Sequence, residues 1–153
     1  MAQSLEQRLT DEIKTAMLAG DSTKVTTLRG LKSAILNVKV ADGSRDTEMS
    51  DDQVIQIFSK EAKKRQESAD LYIQGGNQAK ADAELAEKAL IETYLPAQLS
   101  EADIAALVDQ AIAATGAAGP QDMGKVIGFV KGKAGASADG SVIAKLAKER
   151  LSA

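Results

Sequence analysis

Tyr94-Leu95-Pro96-Ala97-Gln98-Leu99-Ser100 constrains this chain more than any other stretch. Pro96 has no N–H to donate, and its ring clashes with the carbonyl four residues back, so a helix arriving from the N-terminal side must stop there. Ser100 then reads as an N-cap, with Glu101 and Asp103 placing negative charge in the first turn of a new helix. The segment is both a stop and a start. It divides the chain into an N-terminal four-helix domain, residues 1–95, and a C-terminal three-helix domain, residues 96–153.

Apolar residues recur at spacings of three and four on both sides of this joint. Ser4 to Gln7 reads as a capping box, and Leu5, Leu9, Ile13, Ala16 and Met17 then form one apolar face up to Gly20. After an Asp21 or Ser22 cap, Val25, Leu28, Leu31, Ile35 and Val38 mark a second helix. A polar loop, Asp42 to Glu48, precedes another capping box, Ser50 to Gln53. That box opens the longest helix, residues 51–74, with Val54, Ile57, Phe58, Ala62, Ala69, Tyr72 and Ile73 facing inward. Arg65 falls on the same stripe, which implies a partly buried guanidinium paired with a carboxylate. A fourth helix, residues 78–95, is expected to bury Ala79, Ala83, Ala86, Leu90 and Tyr94. Short connections between long helices imply antiparallel neighbours.

Beyond the joint, three shorter helices are expected over residues 101–115, 121–131 and from an Asp139 cap to Leu151. No segment alternates apolar and polar residues at period two for long enough to form a strand. The fold class is all-α, an antiparallel long-helix half joined at Pro96 to a compact three-helix half.

Composition narrows the chemistry. There is no cysteine and no histidine, which removes thiolate zinc sites, cysteine nucleophiles and the commonest general base. No metal-ligand spacing, phosphate-binding glycine loop or activated serine is evident, so neither metal nor cofactor is expected. No run of about 18 apolar residues is present, so no membrane span is expected. The opening residues Met1 to Leu5 lack a basic segment followed by an apolar core, so no signal peptide is expected and a cytoplasmic location follows. The net charge is −3; residues 1–95 carry 13 Lys and Arg against 16 Asp and Glu, and residues 96–153 carry 6 of each. Any polyanion site must therefore be local.

Three constellations are candidates for such a site. Lys60, Lys63, Lys64 and Arg65 cluster on the long helix, either as a patch for phosphates or an acidic partner or as a solvated face neutralised by Glu61, Glu67 and Asp70. Gly124, Gly128 and Gly132 lie four apart, so a helix through them has one bare face. That face is either packed tightly on a neighbouring helix or open to a partner such as a sugar-phosphate backbone, with Lys125, Lys131 and Lys133 contacting phosphates. Finally, Ala138-Asp139-Gly140-Ser141 opens the last helix; helix starts attract anions, but Asp139 is also suited to cap its own helix.

Several phrases together resemble the GatB/YqeY family. They are Leu28-Arg29-Gly30-Leu31, Lys63-Lys64-Arg65-Gln66-Glu67-Ser68-Ala69 with Tyr72, Tyr94-Leu95-Pro96-Ala97-Gln98-Leu99-Ser100, Met123-Gly124-Lys125-Val126-Ile127-Gly128 and Ala138-Asp139-Gly140. The resemblance runs from about Leu5 to Leu151 and implies a stand-alone YqeY-like protein with a two-part helical fold. It also implies kinship with the C-terminal region of the GatB subunit of glutamine-dependent tRNA amidotransferase, where the tail region helps hold tRNA and the ligase chemistry belongs to a separate catalytic portion. Nothing in this chain corresponds to that portion. What transfers is a tRNA-contacting role, onto Gly124, Lys125, Gly128, Lys131, Lys133, Asp139 and Gly140. The chain departs from the family at Ser137, where members often carry a basic residue. The expected function is a non-catalytic module binding tRNA or a tRNA-handling enzyme. The alternatives are an accessory role in a carbon–nitrogen ligase reaction with glutamine as amido-N-donor, or a protein adaptor using the third helix.

Overall fold

The computed structural model of the chain describes residues 2–152. Met1, the first residue of the stretch read for a signal peptide, and Ala153 lie outside the described residues. Among the described residues, seven α-helices follow in order and there is no strand. The fold is all-α. The chain divides into two compact units, Met1–Leu95 and Pro96–Ala153.

The first unit holds α1 (Leu5–Leu18), α2 (Ser22–Asp42), α3 (Asp51–Gln74) and α4 (Gln78–Glu92). Tight turns at Gly20 and Gly76, both at positive φ, fold α2 back on α1 and α4 back on α3. Ser50 and Gln53 form the complete reciprocal capping box. At Ser4 only half of one forms: its hydroxyl accepts from the Gln7 amide and donates to Glu48, so the cap of α1 also fastens the α2–α3 loop. Leu9, Ile13, Leu28, Leu31, Ile35, Met49, Val54, Phe58, Ala62, Ile91 and Tyr94 make one apolar core.

Helix α4 is rotated from the face its alanines indicate. Ala79, Ala83 and Ala86 are exposed, whereas Ala81, Ile91 and Tyr94 are buried. An alanine methyl gains little by burial compared with Ile91 or Tyr94. The larger side chains set the rotation, and Glu84 and Glu87 turn towards Arg65 on α3. Ile73 and Met17, both expected inward, are 49% and 52% exposed, each in the last turn of its helix. The fourth helix also ends at Glu92 rather than Leu95. The following amides bond three residues back, Tyr94 to Ile91 and Leu95 to Glu92, a tightened final turn ahead of the proline.

The second unit packs α5 (Glu101–Thr115), α6 (Met123–Ala134) and α7 (Gly140–Leu151) mutually against one another. Their core is Ile104, Val108, Ala111, Val126, Val130, Ala138, Ile143, Leu146, Ala147 and Leu151. Ser100 caps α5 through the Asp103 amide. Helix α6 continues through Gly132, past the end expected near residue 131, and stops only where Gly135 takes φ +56. All three of the spaced glycines therefore lie inside the helix.

Candidate nucleic-acid interface

At about 100° per residue, Gly124, Lys125, Gly128, Lys131 and Gly132 fall on one side of α6, opposite Val126 and Val130, which enter the core. All five are exposed. A methyl group placed on Gly124, Gly128 or Gly132 would meet nothing within 4 Å. Close packing against a neighbouring helix is thus not what these glycines serve, and that reading of them is overturned. Three interior glycines in an open helix face cost about 1 kcal/mol each relative to alanine, and no close contact with the described residues offsets it.

The charges of this unit are segregated. Helix α6 has three lysines and no carboxylate, while α5 has Glu101, Asp103 and Asp109 and no cation. Two of these acids engage α7, with Lys145 lying 3.5 Å from Glu101 and Arg150 2.9 Å from Asp109. Lys125, two-thirds exposed, is 3.6 Å from Asp122. The Asp122 carboxyl accepts from the Ala118 amide at 2.9 Å. That bond, with a further one from Gly119 and the nearby Lys125 ammonium, holds its pKa below the usual carboxylate value. The Lys133 ammonium sits 5.0 Å over the Phe129 ring, and by the same geometry Lys133 falls between Phe129 and Val126, away from the glycine face.

Lys131 reaches the start of α7. A methyl on Gly140 would lie 3.8 Å from its ammonium nitrogen. Asp139 accepts from the Ser141 amide and hydroxyl at 2.8 and 2.7 Å, so this carboxylate caps its own helix. The structure therefore groups Gly124, Lys125, Gly128, Lys131 and Gly140, turns Lys133 away from them beside Phe129, and makes Asp139 a cap.

The second cluster is divided. Lys60, Lys63 and Lys64 are exposed, and Lys64 lies 3.3 Å from Glu61. Arg65 turns inward between α3 and α4, donating to Glu61 at 3.1 Å and to Glu87 at 3.0 Å, with Glu84 at 3.9 Å. The carboxylate pairing expected for Arg65 is present, and it makes the residue a tie between two helices. A surface hollow of about 560 Å³ beside α1 is lined by Glu6, Lys39 and Glu48 among others. Glu6 there is already occupied by the buried Lys39 and by the Met49 amide. Among the described residues, no cluster of carboxylates could hold a metal ion, and no helix is long and apolar enough to cross a membrane.

Sequence reasoning missed one part of this region. The side chain of Gln98 donates to the Ala136 carbonyl at 2.9 Å, and the Leu99 amide donates to the Ser137 carbonyl at 2.7 Å. The residues following Pro96 thus hold the loop that joins α6 to α7. No local pattern signals a contact between segments 38 residues apart.

Two relatives are named "Altered inheritance of mitochondria protein 41, mitochondrial". The Eremothecium gossypii protein is 36% identical over 89 residues, which is 58% of this chain and 48% of the relative. The Vanderwaltozyma polyspora protein is 34% identical over 87 residues, 57% of this chain and 46% of the relative. The shared region thus spans about half the length of each relative. The family model described as Yqey-like protein matches residues 6–151, nearly the whole chain and both helical units, and the chain belongs to that family.

Proposed function

We propose that this protein is a non-catalytic helical module that binds tRNA through the exposed glycine–lysine face of α6. The observation that carries the reading is the open face itself. A methyl added to Gly124, Gly128 or Gly132 would have no neighbour within 4 Å, and the helix that bears them has lysines but no carboxylate. A face without side chains lets a sugar-phosphate backbone approach the helix closely, and flanking lysines then contact phosphates without reading bases. The resemblance of Met123–Gly128 and Ala138–Gly140 to the tRNA-holding tail of an amidotransferase subunit supports the same assignment. Location in the cytoplasm belongs to this proposal too.

Fluorescence anisotropy with a tRNA pool at two salt concentrations tests it. Each phosphate contact steepens the log–log salt slope by about 0.7–0.9. Binding is expected to weaken with salt and to disappear in Lys125/Lys131/Lys133→Glu. Absence of binding by the wild type at low salt would sink the proposal.

A second reading, a protein adaptor using α3, is supported by Leu71 and Ile73, which are 67% and 49% exposed near the end of that helix. A partner docking there would protect both residues and be released by Leu71→Glu, with RNA binding unaffected. An accessory role in an amidotransferase reaction requires a separate catalytic partner, and turnover by the purified chain alone would contradict this assignment.

A further inference from the structure

The loop that carries α6 into α7 has few means of fixing its own shape. Gly135 turns the chain at φ +56 and ψ −133, a conformation that suits glycine alone among the common residues. The 3-10 turn Gly135–Ser137 that follows has no side-chain cap. Ala138 is buried in the core of the unit, and Asp139 caps α7 immediately after it. Within the turn, the Ala136 and Ser137 carbonyls are taken up from outside, by the Gln98 side chain at 2.9 Å and the Leu99 amide at 2.7 Å. Leu99 also packs against the core of this unit.

These contacts form one continuous path. Gln98 and Leu99 hold Ala136 and Ser137; Ser137 leads through Ala138 to Asp139 and Gly140; Gly140 lies against the Lys131 side chain. We infer that Gln98 and Leu99 are positioning residues for the RNA-contacting face: by clamping the Ala136–Ser137 turn they set where the start of α7 stands against Lys131. The inference rests on the RNA reading above for its functional consequence, but the clamp itself is a statement about one folded unit. Neither residue carries charge, so neither adds an ion pair with phosphate that would steepen the salt slope. They govern how well the existing contacts are placed.

The test uses the full chain, labelled for amide NMR, with Gln98→Met, which keeps length and neutrality but has no donor for the Ala136 carbonyl. The expected result is displacement of the amide signals from Lys131 and from residues 136–141, together with faster hydrogen exchange at the Leu99 amide. tRNA affinity should fall by about threefold to tenfold, the equivalent of one lost hydrogen bond, with the salt slope unchanged because the number of phosphate contacts is the same. Gln98→Asn, too short to span the distance, should behave as Gln98→Met. Leu99→Pro, which deletes the other donor, should displace the same signals. If Gln98→Met alters only residues adjacent to position 98, or if those signals move while wild-type affinity is retained, the positioning role is overturned. If the signals move and the wild type itself fails to bind tRNA, the clamp stands and the RNA reading is the part that falls.

Discussion

The Tyr94 hydroxyl donates to the Glu12 carboxylate at 2.5 Å, joining the end of the first unit to a helix 82 residues earlier in the chain. Arg8 completes the arrangement. Its guanidinium stacks 4.3 Å over the Tyr94 ring and pairs with Glu12 at 2.8 Å, while Phe58 meets the same ring edge-on at 5.4 Å. Burial pushes the Tyr94 phenol well above its usual pKa, and the adjoining Glu12 carboxylate adds to the shift. Burial also works to raise the Glu12 pKa, but the Tyr94 hydrogen bond and the Arg8 guanidinium outweigh it and hold the value below that of an ordinary glutamate.

The signs of these shifts give a stability profile with two limbs. Glu12, depressed in the fold, contributes stability above the ordinary glutamate pKa of about 4.3 and loses it as pH falls through the folded value. Tyr94, raised in the fold, contributes fully below the ordinary tyrosine pKa of about 10 and loses that contribution as pH rises beyond it. Tyr94→Phe keeps the ring packing and should cost about 1 kcal/mol at neutral pH. Urea unfolding across pH should show a shallower acid limb, because Arg8 still serves Glu12, and loss of the Tyr94 share of the alkaline limb. An unchanged profile would show the hydroxyl to be idle.

Arg65 bonds Glu87 and Glu61 and also approaches Glu84. Removing it leaves three carboxylates facing one another between α3 and α4. Arg65→Ala should therefore destabilise the protein by about 1–3 kcal/mol, against about 0.5 kcal/mol or less for Lys64→Ala at its exposed neighbour. Equal effects in thermal denaturation would show that the inter-helix tie contributes nothing beyond a surface pair.

Gly128→Ala separates stability from binding. With open space around the new methyl and a helical backbone, the substitution should raise stability by about 0.5–1 kcal/mol. It should also weaken tRNA binding by holding the phosphate backbone away from the helix. A destabilised variant would restore the packing explanation for the glycine spacing, and a stabilised variant with full affinity would remove this face from the RNA contact.

Asp139 stands beside the proposed contact as a carboxylate that caps α7. Asp139→Ala should cost about 1 kcal/mol through loss of the cap. Asp139→Asn retains an oxygen to accept from Ser141 but removes the charge, and should tighten tRNA binding at low salt. Tighter binding that persists at high salt would indicate a cause other than charge.

Helix existence and most boundaries were legible because they depend on local rules. Ser50 and Gln53 cap α3 as their spacing demands, Ser100 and Asp139 cap α5 and α7, and glycines at positive φ close α2 and α5. The face of α4 was not legible. Its alanines form a tidy stripe, but alanine burial gains too little to compete with Ile91, Tyr94 and the Arg65 ion pairs. The end of α6 was not legible either, because Gly132 looks like a stop in sequence, while an isolated glycine costs a helix only about 1 kcal/mol and the helix runs on to Ala134.

The sequence by itself determined an all-helical chain broken at Pro96, with a lysine-bearing helix carrying glycines at every fourth position. Local hydrogen bonding and side-chain periodicity decide those features, and neither requires knowledge of distant residues. Only the tertiary structure decided that the glycine face lies open, that Arg65 is a tie between helices, and that Gln98 and Leu99 hold the turn before α7. Each depends on which residues from distant parts of the chain come within a few ångströms, and that follows from packing the cores rather than from any spacing along the chain.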